Sequence, residues 1–471
     1  MESSKKIVWY NLAFMAFSTV WGFGNVLNGF VYFNGIQVIF SWILMFALYF
    51  VPYALMVGEL GSAFKDSGGG VSSWINETIG PKFAYYAGWT YWACHVTYIA
   101  SKGSGGLKAL SWAVFQNAEK YDSLPTLLVQ LATLVVFLFF CWVASRGLNP
   151  LKKLATLAGS SMFIMSILYI VMMFAAPAIN PNGGFVSMDF SFDKLIPQFN
   201  VQYFTSLSIL VFAVGGCEKI SPYVNKVKDP SRGFPKGMIA LAIMVMVCAI
   251  LGTFAMGMMF DPSIVNDNFQ AYVSNGAYWA FQKLGEYYHM GNVLLVIYAL
   301  CNMIGQFSTL VISIDAPLRM LLDSEQARQF IPTKLLKQNK YGAYINGIWM
   351  VVILSGSIIL IQSFGGEGAA GVLAQLNKLN SVCMPLRYLW VFVAYIALRK
   401  ARDRFHPEYR FSKNQGFAMT FGIWCFVVTL ACCIMGMYDE NIFNMGLNVI
   451  TPIVLTALGM ILPVIKRNEK A

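Results

Sequence analysis

The sequence predicts an all-α polytopic membrane protein of about twelve helices. Three observations carry that expectation. Of the 471 residues, 57% are hydrophobic and 12% charged, against about 25% charged in soluble domains. The apolar residues fall into runs near the ~20 residues that a helix needs to cross the hydrocarbon core. Lys and Arg gather in alternate connections between those runs, as they do on the cytoplasmic side of membrane proteins.

The runs, in order, are Ile7–Phe33, Ile36–Leu60, Phe83–Phe115, Leu124–Ala144, Leu151–Ala175, Val201–Val224, Gly237–Phe260, Gly291–Leu321, Tyr344–Ile361, Val372–Ala397, Gly416–Met437 and Phe443–Ile465. Basic residues mark one set of connections: Lys5 and Lys6, Lys65 and Lys82, Arg146 with Lys152 and Lys153, Lys226 to Lys236, Arg328 to Lys340, Arg399 to Lys413, and Lys466 to Lys470. Acidic residues mark the other set, with Glu119, Asp122, Asp189, Asp193, Asp261, Asp267, Asp439 and Glu440. The positive-inside rule then puts both termini in the cytoplasm. The net charge of +11 is a topology signal with some attraction to anionic lipid, and it implies no nucleic-acid partner.

Several function classes drop out. The nine cysteines all lie in apolar runs without zinc spacing, and His95, His289 and His406 are scattered. No metal and no cofactor are expected. Gly68-Gly69-Gly70 lacks the Lys-Ser/Thr that follows a phosphate loop. There is no HExxH, GxSxG or haem histidine pair, so the chain is not expected to be an enzyme.

The first run holds Trp21-Gly22-Phe23-Gly24-Asn25. Glycine costs about 1 kcal/mol relative to Ala inside a helix, and an interrupted backbone at membrane depth must face protein or a cavity. The sixth run carries a second break, Gly215-Gly216-Cys217-Glu218-Lys219 before Pro222. The two lie five runs apart. An odd offset reverses topology, so they are related as in an inverted repeat, which points to a transporter site near the bilayer midplane.

Four stretches carry a family resemblance: GFGNVLNGF in the first run, FVPYALMVGELGSAFKDSGGGVSSWINETIGPKFAYYAGW across the second and third, VASRGLNPLKKLATLAG entering the fifth, and FAVGGCEKISPYVNKVKDPSRGFPKGM through the sixth. On these the chain resembles the amino acid–polyamine–organocation superfamily, within it the glutamate/GABA-antiporter-like branch. The resemblance implies a LeuT-like fold with inverted repeats at 7–175 and 201–397 and two further helices at 416–465. It implies secondary transport of an amino acid or amine by alternating access in a bacterial inner membrane. Exchange is the expected mode and proton- or sodium-coupled symport the alternative. The expected partners are that small molecule, the lipid bilayer and a second copy of the chain in a homodimer.

The resemblance also implies site residues. Backbone at Gly22, Phe23 and Gly24 would bind a carboxylate, and backbone at Phe212, Ala213 and Val214, beside Gly215 and Gly216, would accept an amino group. Glu218 falls on a position linked to proton sensing or gating. Ser308 and Thr309 resemble a hydroxyl pair that ligates sodium. The lysine that several members carry in the fifth helix has its counterpart near Gly159 and is absent. Among ionisable residues inside the runs, Lys102, Lys219 and Lys378 are expected to face the pathway, which would favour a substrate with an extra negative charge. Lys108 and Arg387 are expected to snorkel, Glu59 to cap its helix or pair with Lys65, and Asp315 to pair with Arg319 four residues on.

Overall fold

The computed structural model describes residues 6–179, 195–325, 327–364, 380, 382–401 and 403–469. Lys378, the first part of the tenth run, and Lys5, Asp189, Asp193 and Lys470 lie outside them. Among the described residues regular structure is helical apart from two isolated bridges, Ile7 to Val227 and Gln338 to Tyr344.

The first run folds as two helices, α1 (Trp9–Val20) and α2 (Phe23–Tyr32). The second is one helical rod of α3 (Val38–Met45), a π turn (Phe46–Phe50) and α4 (Val51–Ala63). Pro52 explains the π turn: its ring would strike the carbonyl four residues back, and the wider turn makes room. A short α5 (Val71–Thr78) precedes α6 (Pro81–Phe115), whose 35 residues open on a proline at the first turn. Next come α7 (Ala118–Asp122), α8 (Thr126–Ala144) and α9 (Leu148–Ile179).

The second half begins with α10 (Val201–Val214), continued after a break by a 3-10 helix (Cys217–Lys226). It continues through α11 (Pro230–Met259), α12 (Pro262–Asp267), α13 (Phe269–Tyr287), α14 (Val293–Leu322) and α15 (Ile345–Ser363). Then follow α16 (Leu389–Lys400), α17 (Gln415–Gly436), α18 (Ile442–Ala457) and α19 (Ile461–Asn468).

Ten helical segments among the described residues are long and apolar enough to cross a membrane. The broken α1–α2 pair and α6 are outside that set, α6 because His95, Ser101, Lys102 and Ser104 dilute its apolar character. Exposed apolar side chains such as Val135 on α8, Ile164 on α9, Ile353 on α15 and Ile453 on α18 cover the outside. A surface of this kind is stable when lipid covers it.

Close helix approach depends on small residues, as is usual in membranes. On α6, a Cβ at Gly88 would lie 2.6 Å from Met320 O and 2.9 Å from Leu321 Cα of α14. On α9, a Cβ at Gly159 would collide with the Phe14 carbonyl of α1. Gly159 is therefore filled by helix-to-helix contact, with no room for a side chain. These contacts set α6 directly against α14 and α9 directly against α1.

Gly88→Val should push α6 off α14. The expected loss is about 1–3 kcal/mol, typical of overpacking, measured as earlier thermal unfolding of the detergent-purified protein.

Candidate functional site

Each break exposes backbone groups that a continuous helix would pair. α1 ends at Val20, Trp21 and Gly22 are extended, and α2 starts at Phe23. Trp21 N–H still returns to Phe17 O at 2.8 Å and Asn25 N–H to Gly22 O at 2.9 Å. Two further carbonyls near the end of α1 turn to side chains. Ser18 O accepts from Thr309 Oγ1 at 2.9 Å, and Val20 O accepts from Asn25 Nδ2 at 3.3 Å. In the second break Gly215 is extended and Gly216 has φ 104°, a left-handed conformation that suits glycine alone. Ala213 O, at the end of α10, accepts from the same Asn25 Nδ2 at 3.3 Å. One side-chain amide thus ties the carbonyl ends of both interrupted helices together.

A cavity of about 400 Å³ opens where the breaks meet α6 and α14. Gly22, Gly24, Phe212, Ala213, Gly215, Gly216, Lys102, Lys219 and Thr309 line it. Phe23, Val214, Glu218 and Ser308 do not. The Phe23 ring packs away among Tyr169, Phe281 and Tyr298, with centroids 4.8, 4.8 and 5.5 Å away, so its side chain belongs to the core. Val214 and Ser308 are buried, and Ser308 Oγ lies 3.3 Å from Ser18 Oγ. Lys102 and Lys219 approach the same ring, that of Tyr98, at 4.5 and 4.9 Å from its centroid, and Lys219 Nζ donates to Ser313 Oγ at 2.9 Å.

Behind the cavity lies a buried charge cluster. Glu218 Oε2 accepts from Tyr53 OH at 2.5 Å, and Glu218 Oε1 is 3.5 Å from Arg387 Nε. His95 Nδ1 lies 2.6 Å from Tyr91 O and donates there, which leaves Nε2 to accept from Arg387 Nη1 at 3.1 Å. Arg387 is 2% exposed and also lines the cavity. The expectation that it snorkels is corrected: the apolar run placed it at membrane depth, but helix rotation turns it inward to a carboxylate. Glu59 is corrected too. It pairs with Arg399 at 2.5 Å and accepts from Phe411 N–H at 2.8 Å, because the connection after α16 folds back under α4. Lys65 goes to Glu408 instead, at 3.3 Å.

The 3-10 helix separates this cavity from another of about 850 Å³, lined in part by Pro222, Tyr223, Arg319 and Asp323. Lys219 faces the first and Tyr223 the second. The expected Asp315–Arg319 pair closes at 2.7 Å, and Tyr223 OH donates to the same Asp315 oxygen at 2.7 Å. Arg319 reaches Asp323 at 3.5 Å, and Tyr344 donates to Asp323. Burial raises the Asp323 carboxyl above its ordinary pKa, with the Arg319 charge acting in the opposite sense. No cluster of metal-binding side chains occurs among the described residues.

The sequence matches the amino acid permease family over residues 7–462. This chain belongs to that family. It is 46% identical to the aspartate/glutamate permease AcaP of Lactococcus lactis subsp. cremoris, over 99% of this chain and 96% of that one. It is 25% identical to the inner membrane transporter YjeM of Escherichia coli, over 91% and 89%. It is 23% identical to a glutamate/gamma-aminobutyrate antiporter of Lactococcus lactis subsp. lactis, over 82% and 75%. The permease is therefore a multi-pass membrane protein that transports amino acids, and not an enzyme.

Sequence reasoning missed several residues of the permease's cavity, Asn25, Lys108 and Arg387 among them. Asn25 stood in the glycine stretch but offered no signal of its own, since its partners come from α1 and α10. Arg387 did give a signal, a charge within an apolar run, and was assigned to the interface. Asn25→Ala should leave Val20 O and Ala213 O unpaired, at about 1–3 kcal/mol for each buried group. Thermal unfolding in detergent should fall accordingly, and added substrate should no longer raise it.

Proposed function

We propose that this permease carries acidic amino acids, aspartate and glutamate, across a bacterial inner membrane by alternating access. One observation carries the reading. Among the described residues the cavity lining holds Lys102, Lys108, Lys219 and Arg387 and no Asp or Glu. Lys108 is offset by Asp122 at 3.6 Å and Arg387 by Glu218 at 3.5 Å. Lys102 and Lys219 have no ion pair among the described residues. Cations at membrane depth are costly unless an anion meets them, and a substrate with two carboxylates supplies one more than a neutral amino acid does.

In this reading the α-carboxylate sits on the open N–H groups at the start of α2, from Gly22 to Gly24, where the helix dipole favours an anion. The ammonium meets the carbonyl end of α10 at Phe212, Ala213 and Val214, beside Gly215 and Gly216, where the bond from Asn25 leaves Ala213 O a second lone pair. The side-chain carboxylate points to Lys102 and Lys219. Glu218 serves the gate behind the cavity. The chain comprises inverted repeats at 7–175 and 201–397 with two helices at 416–465, has both termini in the cytoplasm and assembles as a homodimer. With that orientation the cavity mouth by Lys108 faces outside, and the Asp315–Arg319–Asp323 network forms the inner closure. The 46% identity to a protein named aspartate/glutamate permease supports the substrate class.

Transport proceeds by exchange. Sodium-coupled uptake is the second reading, favoured by the hydroxyls of Ser18, Ser308 and Thr309 converging between α1 and α14.

Proteoliposomes test both. Aspartate and glutamate should enter saturably and faster when the lumen is preloaded with substrate; a strict requirement for external sodium would favour the second reading. Lys219→Ala should reduce acidic uptake at least ~10-fold, the loss of one charge-assisted contact of about 1.5–3 kcal/mol. Aspartate and glutamate transport that is unaltered in both Lys102→Ala and Lys219→Ala would remove the basis of the substrate assignment.

A further inference from the structure

A buried ion pair ordinarily closes to full hydrogen-bonded contact, because each unpartnered charged atom is expensive. Glu218 and Arg387 stop short of that. Arg387 Nε and Glu218 Oε1 stand 3.5 Å apart, and neither atom has a hydrogen bond among the described residues, although the residues are 2% and 0% exposed. The rest of each group is held in place. Tyr53 fixes the other Glu218 oxygen at 2.5 Å. His95 Nε2 takes Arg387 Nη1 at 3.1 Å, and the guanidinium lies over the rings of Tyr91 and Tyr388, 5.0 and 5.1 Å from their centroids. The same arginine lines the cavity between the two helix breaks.

Arg387 is thus a guanidinium within reach of two anion positions, with its bond to the internal one incomplete. We propose that Arg387 is a specificity-determining residue: it passes from Glu218 to the side-chain carboxylate of an acidic amino acid in the cavity, and Glu218 is the built-in competitor that retains it when the substrate is neutral. The proposal rests on the reading that the cargo is acidic.

The chemistry separates an acid from its amide. A carboxylate offers a guanidinium two parallel charge-assisted bonds, which replace the imperfect contact to Glu218. Asparagine or glutamine offers a single neutral carbonyl oxygen, too little to draw the arginine from a carboxylate it already faces. A site built around such a group rejects the analogue that leaves it unpaired. Glu218 keeps its bond from Tyr53 throughout, so it stays anchored while the arginine moves. Lys102 and Lys219 contribute attraction into the cavity. Arg387 contributes discrimination.

The test is the ratio of kcat/KM for aspartate over asparagine, measured in proteoliposomes with wild type, Glu218→Gln, Arg387→Gln and the Glu218→Gln/Arg387→Gln double variant. Glu218→Gln removes the competitor and should raise the aspartate preference about tenfold, the worth of one strengthened contact near 1.4 kcal/mol. Arg387→Gln should lower the preference at least ~10-fold, leaving the part that Lys102 and Lys219 supply. Because that variant strands a buried carboxylate and can fail to fold, the double variant, which removes both charges, carries the decision: its ratio should fall at least ~10-fold below wild type. A folded double variant that keeps the wild-type preference overturns the proposal, as does a Glu218→Gln ratio equal to wild type. Wild-type protein that takes neither aspartate nor glutamate overturns the acidic-cargo reading together with this one, so the two failures are distinct.

Discussion

Inside a bilayer, an unpaired peptide group has no water to turn to. This fold interrupts two helices at that depth and has to satisfy the loose ends from within. Asn25 does so for the carbonyl ends, with one amide between Val20 O and Ala213 O. Thr309 does it for Ser18 O. The glycines set where the interruptions fall: Gly216 takes up a left-handed turn that other residues resist. With the carbonyl ends tied, Gly22 and Gly24 at the start of α2 line the cavity. The rest of the site is arranged around that exposed backbone.

The charges follow from the same constraint. Lys219, Arg387 and Glu218 are almost wholly buried, and such groups persist only where each finds a partner. Arg387 leans on Glu218, on His95 and on two tyrosine rings; Lys219 leans on Ser313 and Tyr98. On the far side of the 3-10 helix, Asp315, Arg319 and Asp323 make a second network with Tyr223 and Tyr344. A thin wall carrying fixed charges on both faces thus separates two polar cavities. That arrangement suits a protein that opens to one side at a time, since a few kcal/mol redistributed between two networks moves such an equilibrium.

Much of this was legible beforehand. The apolar runs gave the helices, and the paired glycine breaks gave the place of the cavity. Nine of the residues named from the sequence line it. Four do not, and the reason is rotational. Phe23 and Val214 flank the breaks in sequence, but a residue next to a helix end can present its backbone to the cavity while its side chain points to core. Glu218 and Ser308 sit on elements that border the cavity but do not line it themselves. Glu59 and Arg387 were read against sequence neighbours or the membrane surface. Their partners, Arg399 and Glu218, lie 340 and 169 residues away, beyond the reach of any local pattern.

The sequence by itself determined the class of protein, because hydropathy is a local property and a run of twenty apolar residues has few other fates. It also located the helix breaks, because glycine's conformational cost is local too. Tertiary structure alone decided which charges pair and which face the cavity. That depends on how each helix is rotated and how closely it packs. At Gly88 and Gly159 the spacing is set by the absence of a side chain against a distant backbone. The Trp21–Asn25 stretch marked a point of interruption, but only the folded chain shows that Asn25 within it joins that point to its counterpart at Ala213–Gly216.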